Sequence, residues 1–365
     1  MTQIDDADRE AMRDALSRFL RSDLAEDALR LGMQSTLGYD ASVWHQLAEM
    51  GLLGIAIDEA FGGVGGSTVD VAMVAEELGH SLTPVPFIET CVIATALLQA
   101  CEHNDAIEQI LRGVVQGSVT VALGGNASPA PYPDTNCNLT LQGDAISGEV
   151  SLVMHGASAD FLLLLFEVGA AVQLVLVPKH ESIATEPQKA NDPALRPAKM
   201  RFDLTPCAVL QGWTADDLER ARLHGVAALS AQQTGAARAI FGVTIDYLKT
   251  RYQFGRPIGS FQALKHMAAD LLVEVESATS AARAAATALA RSSADASRSV
   301  SLAGFICNDA LRAVTAQAIQ MHGGIAYTQE HVAHLYWRRA RATLSMLGDS
   351  ESHREAYLRA WEVSA

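Results

Sequence analysis

Apolar residues along this chain change their spacing twice. From Ile4 to Val115 they recur every three to four residues, the period of a helix with one buried face. The pattern predicts helices over Ile4–Leu24, Ala41–Met50 (carrying Trp44), Thr68–Leu78 running into Gly79, Phe87–Ala100 and Asn104–Val115. From Ser118 to about Trp213 the runs shorten, alternate or become β-rich: Val119–Leu123, Asn138–Leu141, Glu149–Val153, Phe161–Phe166, Gln173–Val177 and Arg201–Leu204. Clusters of Gly, Pro, Asn and Asp separate them, as in an antiparallel sheet, and Ala127–Asn136 is a proline-rich loop. From Asp216 the helical period returns over Val226–Leu248, then at Met267, Leu271, Leu272 and Val275, then over Ser277–Leu289 and Ser299–Ala318. The small-residue stretch Ala285–Ser299 reads as an interhelical connection. Helices, sheet, helices is an α+β layout, with expected units at residues 1–117, 118–213 and 214–365.

Composition narrows the class. A chain of 365 residues can build two or three domains with real cores. No apolar run reaches membrane-spanning length, and Phe161–Phe166 is strand-sized. The acidic, amphipathic start lacks the basic and apolar regions of a secretory signal. Five scattered cysteines without a CxxC pair argue against a metal site or disulfide framework and fit the reducing cytoplasm. A formal charge of −15 disfavours nucleic acid as a partner, so an anionic ligand must be met by a local basic cluster. The run Arg338, Arg339, Arg341 reads as a solvated helix face.

One basic cluster sits at a forced turn. In RYQFGRPIGSFQALKH, Arg251 to His266, Pro257 interrupts two helix-period segments, and Arg251, Gln253, Arg256 and Gln262 supply donors around it. Such a corner suits a phosphate or pyrophosphate group. Downstream, QMHGGIAYTQEH (Gln320 to His331) breaks another helical run with Gly323 and Gly324, as a helix end or a close backbone approach requires. Near the N-terminus, IAIDEAFGGVGGSTVDVAMVAEELGH (Ile55 to His80) is a glycine-rich loop leading into a helix. Together these three segments resemble the acyl-CoA dehydrogenase family, flavoenzymes that use FAD. The resemblance implies an all-α N-domain, a central β-domain and a C-terminal four-helix bundle.

It also implies residue roles. Arg251, Gln253 and Phe254 correspond to the positions that meet the pyrophosphate and adenine side of an FAD whose ring lies in the neighbouring subunit; Gln262 adds a hydrogen bond, and Gln320, Gly323 and Gly324 line the same groove. On the flavin-ring side this chain departs from the family. The loop VALGGNASPAPYPDT (Val121 to Thr135) stands where a Thr-Glu-Pro loop is usual, with Leu152 at the position of a covering tryptophan and Met154 at that of a threonine. The reaction needs a carboxylate to take the α-hydrogen of a CoA thioester while the β-hydrogen leaves as hydride to the flavin. The two positions where members carry that glutamate hold Leu347 and Gly225; Asp349 is the nearest fallback, and Glu351, Asp216 and Glu219 are displaced further. Loss of the ring side with retention of the ADP side implies an α2β2 assembly with a second acyl-CoA dehydrogenase-like subunit that supplies the ring pocket and the base. The paired dehydrogenases of bacterial steroid side-chain degradation are similar. The acyl-CoA substrate would be bulky, and electron-transferring flavoprotein is the family's usual acceptor. A homotetramer with a displaced base and a flavin-free scaffold are the alternatives.

Overall fold

A computed structural model describes residues 4–21, 24–128, 137–169 and 171–364. Among the described residues, eleven α-helices and two four-stranded sheets form three successive layers, with a two-stranded hairpin in the last. The first is α1 (Asp6–Leu20), α2 (Leu24–Gln34), α3 (Ala41–Glu49), α4 (Thr68–His80), a π-helical segment Phe87–Ala94, α5 (Thr95–Ala100) and α6 (Asp105–Val115). Then come β1 (Val121–Gly125), β2 (Thr140–Gln142), β3 (Ala145–Met154), β4 (Phe161–Val168), β5 (Ala171–Pro178), β6 (Ile183–Pro187), β7 (Pro197–Pro206) and β8 (Ala208–Val209). The last layer is α7 (Ala215–Thr250), α8 (Gln262–Ala290), α9 (Ala296–His322), α10 (Ala333–Thr343) and α11 (Ser350–Ser364). The long α7 starts at a capping box: Thr214 and Asp217 satisfy each other's backbone N–H groups.

The strands pair in the orders β1-β4-β5-β8 and β2-β3-β7-β6. All pairs within these two sheets are antiparallel except β1 with β4, which run parallel because the chain visits the second sheet between them. Facing residues of the two sheets, among them Leu162, Leu164, Phe166, Val150, Val153 and Met200, form one core. The opposite face of β4, Leu163 and Leu165, packs into the helical core with Phe87, Leu97 and Ile110. This two-sided burial explains the unbroken apolar run of Phe161–Phe166. β6 and β8 escape sequence pattern because β6 is a mostly exposed edge and β8 is two residues long.

Three further expectations change. Of the run Arg338, Arg339, Arg341, expected on a solvated helix face, Arg339 is buried because it pairs with the buried Asp192. The N-terminal periodic run is not one helix to Leu24, since α1 ends at Leu20. Ala285–Ser299 is not mainly a connection: alanine is the best helix former, so α8 continues to Ala290 and the turn is confined to the residues before Ala296. Most of the proline-rich loop Ala127–Asn136 lies outside the described residues.

Packing between layers depends on small residues and one buried ion pair. A Cβ on Gly79 of α4 would lie 1.9 Å from the Gln232 carbonyl of α7, and one on Gly235 would lie 1.9 Å from the Glu76 carbonyl, so the two backbones touch. Arg339 of α10 is 5% exposed and donates through Nε to Asp192, beside β7, and through Nη2 to the Leu82 carbonyl after α4 (3.4 Å). Asp192 also caps the turn Pro193–Leu195 through Ala194 N at 2.9 Å. Arg196 of that turn donates to the Met33 and Ser35 carbonyls at 2.5 and 2.8 Å, tying it to the N-terminal helices.

Breaking this buried pair leaves an uncompensated charge. Arg339→Met alone and Asp192→Asn alone are each expected to cost about 3–5 kcal/mol in denaturant unfolding, and the double substitution much less than their sum. Additive costs in that cycle are the outcome that contradicts the coupling.

Candidate cofactor and active site

The arginine turn is a tight hairpin. α7 ends at Arg251, whose N–H still bonds back to Tyr247, and Tyr252–Gln253 pairs with Arg256–Pro257 across the turn residues Phe254 and Gly255. Both turn residues have positive φ, +55° and +76°, as a two-residue hairpin of this hand requires. Glycine accepts that conformation freely; for phenylalanine it is strained, by roughly 1–3 kcal/mol. Nothing in the fold buries Phe254 in return, since it is 90% exposed, with its ring only edge-on to Phe261 at 6.1 Å. The Arg256 guanidinium lies 4.1 Å over Phe261. Arg251 is different: among the described residues its exposed guanidinium has no ion pair or hydrogen bond, and Gln253 and Gln262 are likewise exposed.

The double-glycine segment sits beside this hairpin. α9 ends at His322, and Gly323 follows with φ +66° and ψ −142°. A Cβ on Gly323 or Gly324 would meet no atom within 4 Å, so their backbone faces open space, and Gln320 is exposed nearby. The link between the two motifs is aromatic. His322 stacks on Tyr247, one turn before Arg251, at 4.6 Å between centroids and an angle of 29°, and His331 packs against it at 4.5 Å. Burial lowers the pKa of His322, and its Nδ1 lies 2.8 Å from the Ala318 carbonyl. Tyr247 and His322 were not singled out in the sequence; their adjacency to Arg251 and Gly323 was the available signal. Open glycine backbone next to an unpaired guanidinium fits a phosphate-bearing ligand.

The ring side offers no such fit. Leu152 is half-buried in a bulge of β3 at φ +55°, its N–H donating to Gln188 Oε1 at 2.8 Å, and Met154 is buried. Neither side chain has an aromatic face or a hydroxyl. Of the loop Val121–Thr135, residues 129–135 lie outside the described residues.

The two positions expected to hold a base converge. A Cβ on Gly225 would lie 3.0 Å from Leu347 Cδ1 and 2.7 Å from Ile93 Cδ1, so Gly225, Leu347 and Ile93 close one buried aliphatic spot. Ile93 was not foreseen. Asp349 is exposed: its Oδ1 accepts from Ser352 Oγ (2.6 Å) and Ser352 N (2.8 Å) at the start of α11, and these bonds hold its pKa low. That is a helix cap, which commits the carboxylate away from the aliphatic spot.

A buried carboxylate does lie near, one helical turn before Ile93. Glu89 is 5% exposed, and burial pushes its pKa up to about 7, against smaller opposing effects of a backbone hydrogen bond and of Arg339. It lines an enclosed space of about 20 Å³ together with His155, Gln232, Arg339, Thr343 and Met346. That volume holds about one water and leaves no room for a substrate.

Helical layers flanking a two-sheet middle define the fold of a flavin-dependent dehydrogenase. The chain belongs to the acyl-CoA dehydrogenase family. Residues 6–118 match that family's N-terminal domain and residues 216–361 its C-terminal domain. It is 33% identical to acyl-CoA dehydrogenase IpdE2 of Mycolicibacterium smegmatis, covering 93% of this chain and 94% of the relative. Against acyl-CoA dehydrogenase IpdE2 of Mycobacterium tuberculosis the figures are 31%, 96% and 96%. Among solved structures, a variant of the Tcur3481–Tcur3483 steroid ACAD superposes with a TM-score of 0.85 at 25% identity over 98% of each chain. The ChsE4–ChsE5 complex of Mycobacterium tuberculosis gives 0.83 at 22% over 97% of each chain and supports the fold. Acyl-CoA dehydrogenases are FAD-dependent oxidoreductases acting on a CH–CH bond.

Two measurements probe these local energetics. Folded, Glu89 keeps its proton up to about pH 7, whereas unfolded it ionises above about 4.5, so stability falls across that window as pH rises. Glu89→Gln is expected to gain up to roughly 3 kcal/mol at pH 8 and to flatten the pH dependence of Tm between 4.5 and 7; an unchanged profile counts against a buried neutral carboxyl. Phe254→Asn, which tolerates positive φ, is expected to raise unfolding stability by roughly 1 kcal/mol. A loss of stability would mean that the Phe254 ring contributes to the fold.

Proposed function

We propose that this chain is the FAD-supporting subunit of an α2β2 acyl-CoA dehydrogenase. It lends its ADP groove to a flavin whose ring, and whose catalytic glutamate, belong to a second acyl-CoA dehydrogenase-like chain. The observation that carries this reading is the aliphatic closure of the base position by Leu347, Ile93 and Gly225, while the groove around Arg251 and Gly323 stays open and unpaired. In it Arg251 holds the pyrophosphate, Gly323 and Gly324 let backbone N–H groups approach it, Phe254 and Gln253 meet the adenine side, and Gln262 and Gln320 add hydrogen bonds. The strained, exposed Phe254 then acquires a partner surface. The chemistry supplied by bound FAD is acceptance of the hydride that leaves the β-carbon. Nothing at Leu347 or Gly225 can take the α-proton, and Asp349 is engaged as a cap, which disfavours a self-sufficient homotetramer.

The substrate we assign is a bulky acyl-CoA of the steroid side-chain type, supported by the 25% identical steroid ACAD structure. The partner reading is supported by similarity to chains of two-component assemblies. Electrons would pass to an electron-transferring flavoprotein. We take residues 1–117, 118–213 and 214–365 as the three units. Unpaired cysteines are compatible with the cytoplasm. No helix among the described residues is long and apolar enough to cross a membrane.

Purified alone, the chain is expected to carry far less than one FAD per subunit and to show no bleaching with acyl-CoA. Co-expressed with a dehydrogenase-like partner, it should yield about one flavin per heterodimer. Arg251→Ala in this chain should then deplete that flavin at least tenfold. One FAD per subunit in the lone chain, reduced by acyl-CoA, would overturn the assignment.

A further inference from the structure

The helical layers enclose a second pocket, remote in sequence from the nucleotide motifs. It opens between α1, α4, α7 and α8 and has a volume of about 200 Å³. Its floor is mostly apolar and built from small residues, with Ala72, Ala231, Ala282 and Ala286 buried around Met73 and with Thr234, Thr279 and the arginine-paired Glu76 also in the lining. Its mouth carries three arginines, Arg9, Arg13 and Arg283.

The acids near the mouth are already engaged. Asp70 takes Arg9 Nε on Oδ1 at 2.6 Å and the Ser67 N–H and hydroxyl on Oδ2 at 2.7 and 2.6 Å. Glu76 Oε1 holds Arg238 at 2.6 Å. Arg13 reaches only the second Glu76 oxygen at 3.4 Å and Glu77 at 4.0 Å, and Glu77 also takes Arg21 at 3.1 Å. Arg283 is exposed and has no ion pair or hydrogen bond among the described residues. In a chain with 42 acidic and 27 basic side chains, a loosely held arginine beside an unpaired one calls for an explanation other than chance neutralisation.

We infer that this pocket is a binding site for a short-chain alkyl carboxylate. The carboxylate takes Arg283 and Arg13, whose planar guanidiniums suit its two oxygens. The alkyl part lies on the alanine floor, where burial of apolar surface adds affinity that an inorganic anion cannot gain. The space takes several water-sized groups, enough for a chain of a few carbons such as that of butyrate or valerate. The site stands on helices of this chain alone and is independent of the FAD reading.

The test titrates valerate into the full-length protein carrying ¹³C-methyl alanine and follows the alanine methyl signals by NMR. Saturable shifts at Ala72, Ala231, Ala282 and Ala286 are expected with a Kd on the order of 1 mM. Phosphate and 1-pentanol, which each lack one half of the recognition, should bind at least tenfold more weakly. Arg283→Ala, at an exposed unpaired position where folding is unaffected, should weaken valerate at least tenfold, and Thr287→Leu at the rim should block it. Equal binding by the Arg283→Ala variant, shifts at other alanines only, or phosphate binding as tight as valerate would each overturn the proposal.

Discussion

The buried Arg339–Asp192 pair holds the three layers in register. Its partners come from all of them: the guanidinium from α10, the carboxylate from the turn before β7, and the Leu82 carbonyl from the end of α4. An isolated charge at that depth would cost several kcal/mol, so neither partner can leave without the other. Because both ends are fixed, the segment Thr83–Glu89 and the end of β3 at His155 are held against Thr343 and Met346, around the small polar space that contains Glu89. Contact of the α4 and α7 backbones at Gly79 and Gly235 closes the same region from the helical side.

A second closure bears on the reading proposed for this chain. The two positions where the resemblance would put a catalytic carboxylate, Leu347 and Gly225, meet at a single spot that Ile93 helps to fill. Close-packed aliphatic carbon at that spot adds stability and offers no proton acceptor. Glu89 is the carboxylate left nearby, enclosed with room for one water and kept neutral by burial. The other end of the molecule is organised in the opposite way. There the chain tolerates a phenylalanine at positive φ, an open double glycine and an arginine that has no partner among the described residues, features that cost stability in isolation and that the proposed shared FAD site would use.

Much of this was legible in the linear pattern. The shift from helical to strand spacing and back located the layers, and the Arg251 turn and the Gly323–Gly324 break each announced themselves by residues with few conformational alternatives. Sequence could not reveal that Tyr247 and His322 stack to join them, nor that β1 pairs in parallel with β4, because both depend on partners separated by dozens of residues. β6 was missed for a local reason: an exposed edge strand needs no apolar alternation.

The site divides along the same line. By itself, the sequence determined that Leu347 and Gly225 cannot accept a proton and that Arg251 and the paired glycines can approach a phosphate, because those are properties of the residues. Only the tertiary structure decided that Leu347 and Gly225 are neighbours, that Ile93 from a third segment completes their closure, and that Asp349 is consumed as a helix cap. Side-chain chemistry is local, whereas vacancy, closure and pairing belong to the packing of segments that meet only when the chain folds.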